Sequence, residues 1–267
     1  MNVKKRWVVK LGTGILTRAD GRLDGKQFDQ LVAQLVKMNQ RGHEIILVTS
    51  GAIGAGMQEM GLAQRPKELS LLQACATVGQ IRLMAEYQKR LSKHKLHGAQ
   101  LLLTYWDLDS RTCYGQAKQT LELLLERKKF MPIINENDAI SGEEIKVGDN
   151  DKLSAHVSIM IHAEKLIILS NVDGLMEQWD GNKQKGRVIP VVASLDSDVM
   201  SMASGTASQR SVGGMVTKLE AAKLTGVHGI EMIIANGRNP QILSQIADGH
   251  FIGTRFISST NKKKTKK

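Results

Sequence analysis

The sequence predicts an α/β fold, a mainly parallel sheet with helices on both faces. Three observations carry this. Short apolar runs alternate with longer amphipathic ones along the chain. The short runs are near-continuous in Val, Ile and Leu, as strands covered on both faces should be. Polar and glycine-rich clusters follow the ends of these runs, where open parallel sheets bind their ligands.

The elements follow in order. Trp7 to Leu11 reads as the first strand, and Phe28, Leu31, Val32, Leu35 and Val36 mark one apolar face of a helix. Glu44 to Thr49 is the second strand, followed by a helix over 70–95 and a strand from Gln100 to Thr104. A helix over 116–128 leads to a strand from Met131 to Ile134, and a helix over 151–162 to a strand from Leu166 to Ser170. A helix over 215–225 precedes the last strand, Glu231 to Ala235. Gly174 to Val192 breaks the rhythm, with Gly181, Gly186 and Pro190 among charged residues, and reads as a hairpin or excursion. No internal repeat or Gly/Ser-rich linker divides the chain. The expectation is one domain over 1–260, with halves meeting near residue 165, and a basic tail over 261–267.

Composition narrows the function classes. Aromatic residues are 4% of the chain, too few for a base-stacking surface on single-stranded nucleic acid. Five lysines among the last six residues supply nearly half of the formal net charge of +11. Such a run is ordinarily a solvated end, the alternative being an electrostatic anchor. The modest positive charge of the body suits a polyanionic ligand. Cys75 and Cys113 make neither a disulfide framework nor a zinc site, so a reducing cytoplasm is expected. Lys4, Lys5 and Arg6 precede an apolar stretch that Lys10 interrupts at once, unlike a signal peptide. No apolar run reaches the length of a membrane span.

Four polar clusters fall at strand ends: Lys10 to Gly14, Ser50 to Gly56, Asn135 to Asp138, and Ser170 with Asn171. Glycines after a strand also make plain tight turns. Gly51 and Gly56 have P-loop spacing, but Met57 stands where the lysine is required. Gly213 and Gly214 precede a helix, where backbone N–H groups and the helix dipole favour an anion, and Lys218 lies one turn in. Lys10 sits at the end of an apolar strand, where an ammonium is either functional or snorkelling. Asp149, Asn150 and Asp151 could simply cap a helix. With Asn135 and Asp138 they offer more polar recognition than capping needs, suited to an ammonium, a carboxylate met by the amides, or a metal. The seven histidines are scattered without zinc spacing, and Cys75 reads as a buried inert thiol.

Five ordered motifs, KLGTG (10–14), VTSGAIGAG (48–56), PIINENDAI (132–140), KVGDNDKLSA (146–155) and GGMVTKLEAA (213–222), resemble the amino acid kinase family. The likeness is greatest to its glutamate-phosphorylating branch, which opens proline synthesis, and runs from about residue 7 to 257. It implies a three-layer αβα sandwich and transfer of the ATP γ-phosphoryl group to the glutamate side-chain carboxylate, with Mg²⁺. The C-terminal half would be the nucleotide side. It further implies that Lys10 and Lys218 stabilise the moving phosphoryl group, that Asp151 holds both lysines, and that Gly12 and Gly51 offer backbone N–H groups to phosphates. Ser50, Asn135, Asp138, Asp149 and Asn150 would bind glutamate. Ser170, Asn171 and the segment Val212, Gly213, Gly214, Met215, Val216, Thr217 and Lys218 would bind the nucleotide, together with Lys10. Metal would not be a permanent ligand of the protein. Proline as inhibitor, a homo-oligomer and channelling to the next enzyme are implied partners; nucleic acid and membrane are not. Gly14 stands where the family usually has serine, and Asn171 where it commonly has aspartate. The chain ends in lysines where many bacterial relatives add an RNA-binding-like domain of the PUA type. Rival readings are an acetylglutamate kinase or aspartokinase of the same superfamily, a catalytically silent amino-acid sensor, and nucleic-acid binding by the tail.

Overall fold

The computed structural model describes residues 5–18, 20–141, 150–179, 184–204, 214–250 and 252–257. The N-terminal part runs β1 (Arg6–Leu11), α1 (Thr13–Leu16), α2 (Gly25–Gln40), β2 (Glu44–Val48), α3 (Ala52–Glu59), α4 (Leu69–Leu91), β3 (His97–Leu103), α5 (Tyr105–Asp109), α6 (Arg111–Glu126) and β4 (Phe130–Glu136). The remainder runs α7 (Asn150–Met160), β5 (Lys165–Ser170), β6 (Met176–Trp179), β7 (Gln184–Val188), β8 (Val191–Val192), α8 (Ser197–Ser204), α9 (Met215–Val227), β9 (Glu231–Asn236), α10 (Ile242–Ala247) and β10 (Thr254–Phe256). Among the described residues one sheet has the order β3-β4-β2-β1-β5-β9-β10-β8. It is parallel except where β10 pairs antiparallel with β9.

Strand alternation sorts the core into two layers. Trp7, Val9 and Leu11 of β1 face α2, α4 and α10 through Phe28, Leu31, Leu35, Leu83, Tyr87 and Ile242. Val8 faces α6, α7 and α9 through Leu121, Leu153, Val157, Leu219 and Ala222. Helices thus cover both faces of the sheet, the αβα sandwich the motifs imply. The same parity sends Lys10 to the side of Val8, toward α7.

Local chemistry sets the element ends. Asp24 caps α2 by accepting the Gln27 N–H at 3.2 Å. Thr104 and Asp107 form a capping box at α5. The six expected strands and five expected helices are present with shifted ends. The helix expected over 70–95 stops at Leu91, and the next turn, Ser92–His94, is 3₁₀. Helix α6 begins at Arg111, ahead of the expected 116, because Ser110 caps it there. The excursion from Gly174 to Val192 contains the antiparallel pair β6–β7 and delivers β8 to the sheet edge.

The sequence leaves one segment open between a tight turn and a ligand loop. The glycine cluster after β2 is helical from Ala52 on, with Gly51 as N-cap at φ 106°. Its glycines serve a crossing of α3 and α4. A Cβ on Gly56 would lie 1.8 Å from the Cys75 carbonyl oxygen, and one on Gly79 would lie 1.8 Å from that of Ala52. The two helices meet backbone to backbone, which only glycine permits.

Candidate active site

The sheet changes winding direction between β1 and β5: the chain builds one way from β1 to β2 and later resumes on the other side with β5. Ligands of open α/β sheets bind in the crevice beyond such a point. At the carboxyl end of β1, the Lys10 Nζ lies 2.7 Å from Asp151 Oδ1. From α9, the Lys218 Nζ lies 3.0 Å from Asp151 Oδ2, and the Thr217 hydroxyl donates to the same oxygen at 2.8 Å. All three charged residues are buried. Burial alone would raise the Asp151 carboxyl, but the two ammonium groups overcome it and hold it down at about 2. The trio thus sets two ammonium groups against one carboxylate where β1, α7 and α9 converge.

A second cluster adjoins it. The Asn150 side-chain amide donates to the Thr49 carbonyl at 2.9 Å, the Ser50 hydroxyl at 3.0 Å and Asn135 Oδ1 at 3.1 Å. Asn135 Nδ2 donates to Gln80 Oε1 at 2.9 Å, and Gln80 Nε2 to Gln100 Oε1 at 2.9 Å. Beside this chain lies a cavity of about 250 Å³ bounded by Ala52, Thr77, Gln80, Glu136 and Asp138 among others. Asn150 Oδ1 and Asp138 Oδ1 are buried without a hydrogen-bond partner among the described residues. Burial first, and then the charge of Glu136, push the Asp138 carboxyl up to about 7 against a lowering by Arg65. Two buried acceptors without a donor cost free energy until a donor arrives.

The expected site residues are thus placed unevenly. Lys10, Asp151, Lys218 and Thr217 meet in one knot, with the Thr217 hydroxyl on Asp151. Ser50, Asn135 and Asn150 share a network, with Asp138 beside it. The backbone N–H of Gly51 has no acceptor among the described residues, and its helix starts without a side-chain cap. Gly12 departs from its expected part. Its N–H donates to the Leu169 carbonyl at 3.1 Å, extending the sheet ladder. A Cβ there would stand 3.7 Å from the Lys10 Nζ, in ordinary van der Waals contact. Ser170 and Asn171 end β5 with the serine hydroxyl donating to Asn171 Oδ1 at 3.3 Å. A Cβ on Gly14 would touch the Asn171 side chain at 3.4 Å, so the two departures from the family pattern face each other. Gly214 caps α9, Met215 is half-buried and Val216 is exposed in its first turn. Asp149, Val212 and Gly213 lie outside the described residues.

Sequence reasoning missed Gln80, Gln100 and the buried Thr49–Tyr87 hydroxyl pair, whose oxygens are 2.7 Å apart. A signal for the first existed. Ala76, Gln80, Leu83 and Tyr87 recur at helical spacing on one buried stripe of α4, and an amide on such a stripe calls for a polar partner.

Residues 5–236 match the Amino acid kinase family. Among curated proteins, the chain is 42% identical to glutamate 5-kinase of Caldanaerobacter subterraneus subsp. tengcongensis, over 96% of this chain and 68% of that one. It is 44% identical to glutamate 5-kinase of Symbiobacterium thermophilum, over 94% of this chain and 95% of that one. Among solved structures, UMP kinase from Bacillus anthracis is similar in fold, with a TM-score of 0.62 at 14% identity and 96% of each chain covered. Carbamate kinase from Giardia lamblia bound to AMP-PNP superposes with a TM-score of 0.63 at 17% identity, over 97% of this chain and 100% of that one.

Proposed function

The chain belongs to the amino acid kinase family, and from that premise we propose that it transfers the γ-phosphoryl group of ATP to the side-chain carboxylate of L-glutamate. The observation that carries this reading is the buried Lys10–Asp151–Lys218 knot next to the network of Ser50, Asn135 and Asn150, where Asn150 Oδ1 is buried without a partner among the described residues. The likeness to glutamate 5-kinases supplies the substrate.

A carboxylate oxygen of glutamate attacks the γ-phosphorus, the bond from that phosphorus to the β,γ-bridging oxygen breaks, and ADP leaves with the electron pair. The acceptor is already ionised at neutral pH, so no general base is needed. Negative charge spreads over the phosphoryl oxygens, and catalysis is positioning plus charge stabilisation. Lys10 and Lys218 supply that charge. Their ammonium groups repel, and Asp151 between them fixes both at one spacing. The N-terminus of α3 at Gly51 offers unpaired N–H groups toward phosphate. Asp138 and Asn150 Oδ1 receive the substrate ammonium, and Ser50 and Asn135 complete its frame. The amino-acid side is thereby assigned to the N-terminal half, and the nucleotide side to Ser170, Asn171 and the start of α9.

Mg²⁺ neutralises phosphate charge in this chemistry. Among the described residues no three His, Cys, Asp or Glu side chains converge on a metal position, and Asp151 is occupied by its lysines. In this reading the ion arrives with ATP. Proline shares the α-carboxylate and amine of glutamate without the reacting carboxylate, which fits it as a competing inhibitor. A homo-oligomer in a reducing cytoplasm, passing its reactive acyl phosphate to the next enzyme, completes the reading; both cysteines are free thiols. No helix among the described residues is long and apolar enough to cross a membrane.

The test is ADP release with a panel of free amino acids, coupled to hydroxylamine trapping of the acyl phosphate. Glutamate is expected to give the hydroxamate, with aspartate and N-acetylglutamate far behind. An acetylated amine would leave the Asp138 carboxylate unpaired. Equal or better turnover of N-acetylglutamate would overturn the assignment.

A further inference from the structure

Two buried hydroxyls beneath the start of α3 have no part in the chemistry proposed above. The oxygens of Thr49 and Tyr87 lie 2.7 Å apart. The Thr49 hydroxyl also lies 3.2 Å from the Ser50 carbonyl oxygen, to which it donates. A hydroxyl has one proton to give. With the Thr49 proton on the Ser50 carbonyl, Tyr87 must be the donor of the pair. The opposite sense would leave the phenol proton and the Ser50 carbonyl both without a partner among the described residues, which burial penalises. Burial also pushes the Tyr87 phenol well above its ordinary value, so it keeps the proton it donates. The run is therefore directed, from Tyr87 to Thr49 to the Ser50 carbonyl.

This run holds one peptide plane. The carbonyl and N–H of a trans peptide point in opposite directions, so the Ser50 carbonyl decides where the Gly51 N–H points. The planes on either side are held separately. The Thr49 carbonyl accepts from Asn150 Nδ2 at 2.9 Å, and the Gly51 carbonyl accepts the Ala55 N–H at 3.0 Å. The plane between them can turn over by changing only ψ at Ser50 and φ at Gly51, and glycine accepts either sign of φ. Gly51 stands at φ 106°, and the Thr49 hydroxyl is the sole donor to the Ser50 carbonyl among the described residues. Thr49 shares a sheet face with Leu47, on the side where α2 and α4 pack. Drawing the Ser50 carbonyl to that side turns the Gly51 N–H to the other, the side of α7 and the Lys10–Asp151–Lys218 knot.

We propose that Thr49 and Tyr87 are positioning residues for phosphoryl transfer: their hydroxyls hold the Ser50–Gly51 peptide with its N–H toward the transferring phosphate. This rests on the kinase reading above, which uses neither side chain. The Gly51 N–H has no acceptor among the described residues, as a group kept for a ligand requires.

Thr49→Val keeps the shape and removes the donor to Ser50, while the Thr49 carbonyl still holds Asn150. With glutamate, kcat should fall about tenfold, the size of one hydrogen bond to a charged group. KM for glutamate and for ATP should stay within about twofold of wild type, because the contact acts in the transition state. Thr49→Ser keeps the hydroxyl and should hold kcat within about twofold of wild type. Tyr87→Phe keeps the ring against Phe28 and leaves Thr49 its proton, but frees that hydroxyl to rotate. It should lower kcat about twofold. Thr49→Val combined with Tyr87→Phe removes the phenol that Thr49→Val strands. The double variant should regain part of the urea stability lost in Thr49→Val yet keep its low kcat, whereas a purely structural role would restore both together. A folded Thr49→Val enzyme with wild-type kcat, a loss in KM alone, a Thr49→Ser enzyme as slow as Thr49→Val, or a double variant whose kcat recovers with its stability would each overturn the proposal. Should Thr49→Val fail to fold, wild-type kcat in Tyr87→Phe overturns it. A wild type inactive toward glutamate removes the substrate reading alone, and the same ratios are then read with the amino acid it does phosphorylate.

Discussion

Asp151 and Asp138 are both buried carboxyls, and their neighbours send them in opposite directions. Asp151 has two ammonium groups and is held at about 2; Asp138 has Glu136 close by and only Arg65 opposing, and rises to about 7. The signs differ accordingly. The stability Asp151 contributes is present above its unfolded value of 3.8 and is lost only as pH falls toward about 2. Asp138 behaves inversely. The folded protein favours its neutral form, so that contribution is full below 3.8 and is lost as pH rises through about 7. A bound ammonium favours the ionised form, so KM for glutamate should fall as pH rises from about 6 to about 8. Asp138→Asn should raise that KM and flatten the profile; an unchanged slope would remove Asp138 from substrate binding. Lys218→Ala should lower kcat by about 10²–10³-fold, the scale for one preorganised electrostatic donor. A folded variant with near-normal kcat would reduce Lys218 to a helix residue. These residues were legible because a lysine in an apolar strand and clustered carboxylates are chemically conspicuous. Gln80 was not, since its amide partners, Asn135 and Gln100, lie on strands distant in sequence.

At the scale of elements, α3 and α4 show how tertiary contact overrides local preference. Gly51, Gly54 and Gly56 leave a tight turn or a ligand loop open in the sequence, yet the segment from Ala52 is a helix, with α4 packed against its backbone. Gly79→Ala would put a methyl 1.8 Å from the Ala52 carbonyl oxygen and 2.3 Å from the Gly56 nitrogen, atoms that no rotamer change can move. It should destabilise the fold by about 3 kcal/mol, read as a lowered urea midpoint at unchanged slope. Wild-type stability would mean the crossing is looser than its geometry states. The buried strands were readable from continuous Val, Ile and Leu alone. Short pieces were not: β8 and β10 offer two and three residues, too few for any period to register. Their strand character comes from pairing, Phe256 against Met232 on one side and Val192 on the other.

Across the whole molecule, the Lys10–Asp151–Lys218 knot ties the first strand to α7 and α9, elements from opposite ends of the chain. One reading makes it a structural clasp; the other makes it a charge centre that stability tolerates. The two separate on energetics. Burying three charges carries a large desolvation cost, and apolar replacements of similar volume are often neutral or stabilising, while removal of one member strands the others. Asp151→Ala leaves two buried ammonium groups facing each other and should cost about 3–5 kcal/mol. The triple change Lys10→Met, Asp151→Leu and Lys218→Met removes every charge and keeps the volume. The Thr217 hydroxyl retains the Gly214 carbonyl at 2.9 Å as its acceptor. If the knot exists for phosphoryl transfer, the triple variant regains wild-type stability or exceeds it, yet releases no ADP with glutamate. Urea denaturation and the ADP assay on the same preparations decide the matter. A triple variant as unstable as Asp151→Ala would mark the knot as a clasp on which the fold depends.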